Sequence, residues 1–315
     1  MKDLLKVLSR EEITALSLCF LYQENGYSKY RMSKFEEYDL YVKNKDFLVS
    51  ENVITFNDTD GKLLALKPDV TLSIIKNSKD LPDGQMKVYY NENVYRVSKG
   101  TRSFKEIMQV GLECLGRIDD KAVTEVLCLA SKSLDLISKE NVLEISHLGI
   151  VSGVLKAFNV SAEGCKEIFK YLGEKNVQGA SEVCVNEGLS QEKQTLIKKL
   201  VNIYGSPENV LPELEAFKIS DQVIEAINQL STILKELKAM GVYDRICIDF
   251  SVVNDMNYYN GLAFKGFIEG VPTGILSGGQ YDRLMSKMGK KSQAIGFAVY
   301  LDELSKLPLT LKGEE

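Results

Sequence analysis

The chain has 315 residues, 44% of them apolar, with 39 basic and 44 acidic side chains, six cysteines, one histidine and no tryptophan. That balance suits a folded globular protein of one large or two modest domains and excludes disordered and collagen-like chains. No apolar run is long enough to span a bilayer, the charged start MKDLLKVLSREE is neither signal nor transit peptide, and the net charge of −5 argues against a dedicated nucleic-acid binder.

In chain order, residues 1–117 mix short helices and strands. Val53–Phe56, the turn Asn57–Gly61 and Leu63–Leu66 read as a hairpin. Strands follow around Val88–Tyr90, Asn93–Val97 and Glu106–Leu115. A helix is expected from about Lys121 to Ile137, with Val123, Val126, Leu127, Ala130, Leu134 and Ile137 in one stripe. Residues 151–241 are almost purely helical, and the last helix, carrying Val223, Ile227, Leu230, Leu234 and Leu237, stops at Gly241. Strands return at Arg245–Val253, Tyr258–Glu269, Val271–Leu276 and Ala294–Val299, and Gly278-Gly279 opens a helix between the last two. The pattern predicts one α+β core, residues 1–150 and 242–315, interrupted by a helical insertion over 151–241.

The cysteines, at 19, 114, 128, 165, 184 and 247, are dispersed and form no C-x-x-C pair, so they read as free thiols in a reducing cytoplasm. One histidine cannot complete a Cys/His zinc cage, and His147, at a strand end, reads as structural.

Glu106–Leu115 is the most informative strand. Alternation puts Met108, Val110, Leu112 and Cys114 on one face and Ile107, Gln109, Gly111 and Glu113 on the other. A Gln and a Glu flanking a glycine fit the floor of a pocket for a small polar ligand, with empty volume over Gly111, although a half-exposed strand is also consistent. Tyr259 followed by Gly261 and Ala263 repeats the combination of a polar tip with small neighbours. Asp69 and Thr71, after Pro68, read either as a third contributor or as a turn in which Asp caps a helix. LSGGQYDRL lacks phosphate-loop spacing, so its glycines read as close packing at a strand-to-helix corner, and Lys287–Lys291 reads as a solvated loop.

Together these segments resemble the catalytic core of class II aminoacyl-tRNA synthetases, and within it the histidyl-tRNA synthetase family. The motif 2-like stretch is Val94-Tyr95-Arg96-Val97, a loop with Lys99-Gly100-Thr101-Arg102, then Met108 to Glu113. The histidine signature is Asn254-Asp255-Met256-Asn257-Tyr258-Tyr259-Asn260-Gly261, and motif 3 is Ala294 to Leu304. The resemblance implies an antiparallel sheet flanked by helices and dimerisation near Gly26–Glu36, where Ser33 replaces the usual proline of motif 1. It places a histidine α-amino group near Asp69, Thr71 and Gln109, its imidazole near Glu113 and the Tyr258-Tyr259 pair, and retains Arg96 from motif 2.

The departures concern phosphate chemistry. The signature arginine is replaced by Asn254 and the motif 3 arginine by Glu303. At about 5 Å and an effective dielectric near 20, a unit charge pair is worth about 3 kcal/mol, so the Glu303 change swings the interaction with phosphate by about 6 kcal/mol. Adenylate formation depends on electrostatic clamping of phosphates, so this site is expected to be disabled for it. The sequence also stops shortly after motif 3, leaving no anticodon-binding domain to be expected.

An amino-acid pocket without an ATP clamp resembles a paralogous family, the regulatory subunits of short-form ATP phosphoribosyltransferase, which act in the first step of histidine biosynthesis. LKPDVTLSIIK, residues 66–76, fits that family better than the synthetases, which usually carry Glu where Asp69 stands. The resemblance implies a non-catalytic, cytoplasmic subunit with no cofactor or metal, homodimeric within a hetero-oligomer. Its partners would be short catalytic subunits, which it activates, and L-histidine as the feedback ligand, with neither tRNA nor membrane. Two other readings stay open: a histidine-activating synthetase-like enzyme, and an amino-acid-binding module with an altered ligand.

Overall fold

The structure is a computed structural model that describes residues 7–48, 53–97, 103–252 and 259–306. Helix α1 (Arg10–Glu24) begins in a capping box: Ser9 Oγ accepts from Glu12 N and the Glu12 carboxylate accepts from Ser9 N. After it come β1 (Ser28–Lys29), β2 (Phe35–Glu37), α2 (Tyr38–Lys43), β3 (Thr55–Asn57), β4 (Leu63–Leu66) and α3 (Thr71–Asn77). The long strands β5 (Gln85–Val97) and β6 (Phe104–Gly116) precede α4 (Asp120–Ile137) and β7 (Asn141–His147).

The helical stretch holds α5 (Leu148–Ala157), α6 (Ala162–Gly173), α7 (Val177–Asn186), α8 (Gln191–Asn202), α9 (Pro207–Leu214) and α10 (Asp221–Ala239). A two-residue strand, β8 (Tyr204–Gly205), lies between α8 and α9. The chain closes with β9 (Ile246–Asp249), β10 (Leu262–Ile268), β11 (Leu276–Gln280), α11 (Asp282–Lys287), β12 (Gln293–Tyr300) and a 3-10 turn, Leu301–Lys306.

The main sheet has the order β1-β5-β6-β12-β11-β10-β7-β9-β8, antiparallel through its centre with parallel pairs β1/β5 and β7/β9 towards its ends. The hairpin expected at 53–66 is present as β3/β4 and joins β2 in a separate three-stranded sheet. Val88–Tyr90 and Asn93–Val97 prove to be one strand, because β5 pairs with β6 along its whole length.

One correction concerns the glycine pair. Gly278 and Gly279 open no helix but lie inside β11, since a Cβ at Gly278 would fall 2.5 Å from Gly296 O and one at Gly279 2.6 Å from Leu262 O. Close packing is indeed their role, between strands rather than at a corner. The helix starts only at Asp282.

One face of the main sheet is apolar, with Val110, Leu112, Cys114, Phe264 and Phe297 all buried beneath α1 and α4. The same apolar core continues through Val151, Leu155, Ile197, Leu230 and Leu234, so α5–α10 pack onto the sheet as an extension of its core. Helix α10 ends before Gly241, whose φ of +73° supplies the left-handed residue that stops a helix. Among the described residues no helix is long and apolar enough to cross a membrane. All six cysteines are free.

His147 has the structural role expected. Its Nε2 lies 2.9 Å from Gln229 Oε1, and Gln229 Nε2 donates to Asp120 Oδ1 at 2.7 Å, tying β7 to α10 and α4. Burial holds its imidazole below the usual histidine range.

Under α1, the Tyr22 ring meets Phe297 edge-on at 5.8 Å, and its hydroxyl lies 3.0 Å from Ser133 Oγ, which donates to Leu129 O. Ser133→Ala would strand the buried Tyr22 hydroxyl and cost about 1–3 kcal/mol in urea denaturation. The double variant Tyr22→Phe/Ser133→Ala should cost less than the sum of its parts, because no polar group is then left unpaired.

Candidate functional site

The second face of the main sheet is polar, and register explains its composition. Glu113 lies in a row with Gly296, Gly279, Ala263 and Ser146 on successive strands. The next row runs Tyr90, Gly111, Ala298, Ser277, Lys265 and Glu144. Polar groups therefore stand over a floor of small residues. Gly296 is indispensable to it, since a Cβ there would lie 1.7 Å from Glu113 Oε2 and 2.5 Å from Leu112 O.

Glu113 is 2% exposed, yet both its oxygens are bonded: Thr71 Oγ1 donates to Oε1 at 2.7 Å and the Tyr281 hydroxyl to Oε2 at 2.5 Å. Thr71 reaches it because residues 67–69 are stitched to β5. Tyr95 N donates to Lys67 O at 3.0 Å, Arg96 Nε to Pro68 O at 2.7 Å, and the fully buried Lys67 Nζ to Glu92 Oε2 at 2.6 Å. Asp69 does what a capping residue does, accepting from Leu72 N at 2.9 Å through Oδ1, while Oδ2 lies 3.8 Å from Arg96. Asp69, one residue before the Val70 N-cap of α3, thus fixes the first turn of that helix while its second oxygen faces Arg96.

Tyr259 lies against Gly279, where a Cβ would come within 2.5 Å of its ring. Its neighbour Asn260 fixes it. Asn260 N donates to Gln280 O at 3.0 Å, Asp282 N to Asn260 Oδ1 at 2.8 Å, and Asp282 Oδ1 in turn accepts from Ala294 N at 2.9 Å. The expected alternation of Tyr259, Gly261 and Ala263 does not apply, because β10 begins only at Leu262; Gly261 instead leaves room for the Gln280 side chain.

Burial dominates the electrostatics. It raises the Glu113 carboxyl to about 8, against the pull of the Tyr281 and Thr71 hydroxyls and with a further push from Asp69. Asp69 is raised by the same cause, moderated by Arg96 and the backbone N–H groups of Leu72 and Thr71. Burial also drives the Tyr259 phenol upward, with Tyr300 and Glu113 adding to it.

Asp69, Thr71, Arg96, Glu113 and Tyr281 are directly linked, and Gln109, 2% exposed, lies two residues before Gly111 on the same face. Its Nε2 has no hydrogen-bond partner among the described residues. Tyr258, Asn254 and the loop 99–102 lie outside the described residues. Glu303, at the motif 3 position, accepts from Thr273 Oγ1 at 2.5 Å.

Two expectations are corrected. The volume over Gly111 is not empty: a Cβ there would sit 2.5 Å from the Tyr90 hydroxyl, so Tyr90 fills it. Lys287–Lys291 is exposed at Lys287, Gly289 and Lys291, as a solvated loop would be, but it begins in the last residue of α11 and is tied down, with Lys287 bonded to Asp46, Lys290 to Ser78, and Lys291 N to Asp80. Sequence reasoning missed Tyr281, although alternation carried on from Gly279 would have pointed to it.

Comparison with known proteins fits this geometry. A model of the histidyl-tRNA synthetase family matches residues 3–304. The chain belongs to that family. It is 28% identical to an ATP phosphoribosyltransferase regulatory subunit of Acetivibrio thermocellus, over 89% of this chain and 68% of that one. It superposes on an ATP phosphoribosyltransferase regulatory subunit/histidyl-tRNA synthetase from Bacillus halodurans with a TM-score of 0.81 at 25% identity, covering 95% of this chain and 80% of the other. A chain of the ATP phosphoribosyl transferase complex from Thermotoga maritima shares the fold at a TM-score of 0.72 and 19% identity, with 94% and 98% covered. The α+β, class II synthetase-like architecture expected from the sequence is therefore the fold of this family member.

The raised Glu113 has a consequence for stability. A carboxyl that binds its proton more tightly when folded stabilises the protein fully below its unfolded value of 4.5 and loses that contribution as pH rises through about 8. Between pH 5 and 8 the loss amounts to about 3 kcal/mol. Urea denaturation of Glu113→Gln should lack this slope.

Proposed function

We propose that this chain is a non-catalytic regulatory subunit of the short-form ATP phosphoribosyltransferase, acting in the first step of histidine biosynthesis, and that its polar pocket takes L-histidine. The observation that carries the reading is Glu113 held between Thr71 and Tyr281, with Asp69 and Gln109 as further polar groups, together with a carboxylate, Glu303, at the motif 3 position. Glu113, between Thr71 and Tyr281, offers an acceptor to an imidazole N–H. Asp69 and the unpaired Gln109 amide supply polar groups for the backbone end of the ligand. Glu303 presents negative charge where an ATP-using relative presents an arginine, and removes the electrostatic basis of adenylate formation.

The curated relatives named as ATP phosphoribosyltransferase regulatory subunits support the same assignment. The chain acts as a homodimer within a hetero-oligomer, does not engage tRNA, and works in the cytoplasm. Regulation is linkage: histidine must bind the inhibited assembly more tightly than the active one, or it shifts nothing. A pocket that lacks the signature arginine at Asn254 holds the ligand chiefly through its ring and amino group.

Co-expression with a short catalytic phosphoribosyltransferase chain should give one complex on a sizing column, with raised transferase activity. Separate elution of the two chains would refute the assignment. Calorimetry should show histidine binding to the wild-type protein and at least tenfold weaker binding to Glu113→Ala, about 1.4 kcal/mol or more. Histidine-dependent ATP–pyrophosphate exchange should be absent, and its presence would favour the enzyme reading.

A further inference from the structure

The cations around β5 are already committed to other acids. Arg96 stands 3.8 Å from Asp69 and donates to Pro68 O, and Lys67 Nζ donates to Glu92 Oε2 at 2.6 Å. Lys87, opposite Cys114 on the other face of the sheet, is paired with Glu125 at 2.7 Å. At the β11–α11 corner, Asp282 is taken up by Ala294 N and Asn260. The other titratable groups gathered round Glu113 are phenols: Tyr90 of β5, Tyr300 at the end of β12, Tyr259 and Tyr281. Among the described residues, Asp69 has a cation beside it and Glu113 has none.

The bonds of Glu113 form a short proton chain, Thr71–Glu113–Tyr281. When the carboxyl is ionised both hydroxyls donate to it, and when it is protonated its own proton is given to one of them. Burial without a cation favours the protonated chain, in keeping with a carboxyl raised to about 8. A free imidazole, with an ordinary value of about 6.5, is mostly neutral at the same pH. A ring laid beside Glu113 therefore meets a carboxyl that still holds a proton, in a site one positive charge short.

We propose that the pocket holds L-histidine as the imidazolium, its ring taking at the unprotonated nitrogen the proton that Glu113 carries in the free protein. The carboxyl O–H bond breaks, a ring N–H bond forms, and the net charge of the complex equals that of the separate partners. The carboxylate left behind accepts from Thr71, Tyr281 and the ring, and the ring becomes the counter-cation that the protein does not supply. The inference rests on the reading of the pocket as a histidine site and adds the form in which the ligand is held.

Its consequence is regulatory. The complex shares one proton, and the free partners also carry one between about pH 6.5 and 8, so affinity should be nearly flat across that range. Affinity falls at lower pH, where the free partners carry two protons, and at higher pH, where they carry none.

The test is nitrogen NMR of histidine labelled at both ring nitrogens and bound to the full chain at pH 7.5, where only about a tenth of the free ligand has a protonated ring. The bound ring should show two protonated nitrogens in the wild type and one in Glu113→Gln, whose amide keeps the shape of the side chain. A neutral ring in the wild-type complex overturns the proposal while leaving histidine as the ligand. Calorimetry of the wild type at pH 7.2, in buffers of different ionisation enthalpy, should show almost no net proton exchange with solvent. At pH 9 proton uptake should exceed that of Glu113→Gln by about one. Uptake or release of about one proton at pH 7.2 overturns the transfer from Glu113. A wild-type protein that shows no bound ligand overturns the histidine reading, and this inference with it.

Discussion

A carboxyl group can occupy the middle of a sheet only if both oxygens find donors and the neighbouring strands vacate the volume it needs. Glu113 imposes both conditions, and much of the surrounding sequence answers them. Gly296 vacates the volume, while Thr71 and Tyr281 supply the donors from opposite sides. Each donor then needs its own support. Thr71 is held by the bonds that tie Lys67, Pro68 and Asp69 to β5, and Tyr281 stands beside Asp282, whose bonds to Asn260 and Ala294 close the far side. The buried Lys67–Glu92 pair belongs to the same scheme. An ion pair of that kind contributes little net stability, but it fixes a loop in one position, which suits a site whose donors must not wander.

The sequence was most readable where one local period governs the outcome. Alternation along β6 separated Val110 and Leu112 from Gln109 and Glu113, and the structure keeps that separation. The apolar stripe of α10 and the stop at Gly241 were legible for the same reason. What could not be read was the row across strands. Gly279, Gly296 and Ala263 belong to the floor under Glu113 and Tyr259 because of register between strands far apart in sequence, and no local period encodes register. The same gap led to a helix start being expected at Gly278-Gly279 and an empty space over Gly111. In the first case neighbouring backbone carbonyls demanded the glycines, and in the second a tyrosine from β5 filled the gap.

The helical stretch is joined to the sheet by more than apolar contact. Its short strand β8 extends the sheet by pairing with β9, His147 and Gln229 bridge β7 to α10 and α4, and Lys175 reaches Asp249. These links gather at the β7, β9 and β8 end of the sheet, with β12, β11 and β10 between them and Glu113 on β6. A rigid sheet between two sites is a suitable carrier, because its hydrogen-bonded strands shift together.

On the proposed reading, charge around the pocket accounts for how one fold can keep a ligand and discard a reaction. Asp69 and Glu113 are acidic, and Arg96 is already bonded to Pro68 O with Asp69 close by; Glu303 lies in the turn after β12, where it accepts from Thr273. The pocket's carboxyl oxygens are acceptors that suit N–H-rich groups better than polyphosphate, which brings only acceptors. Burial sharpens the preference, since a raised Glu113 stays neutral until a ligand brings positive charge or a donor that makes ionisation favourable. An imidazole with an adjacent amino group meets both requirements, whereas a triphosphate meets neither. On the proposed reading, Asn254 and Glu303 stand where an ATP-using relative has arginines, and the floor that holds Glu113 between Thr71 and Tyr281 needs no rebuilding for that change.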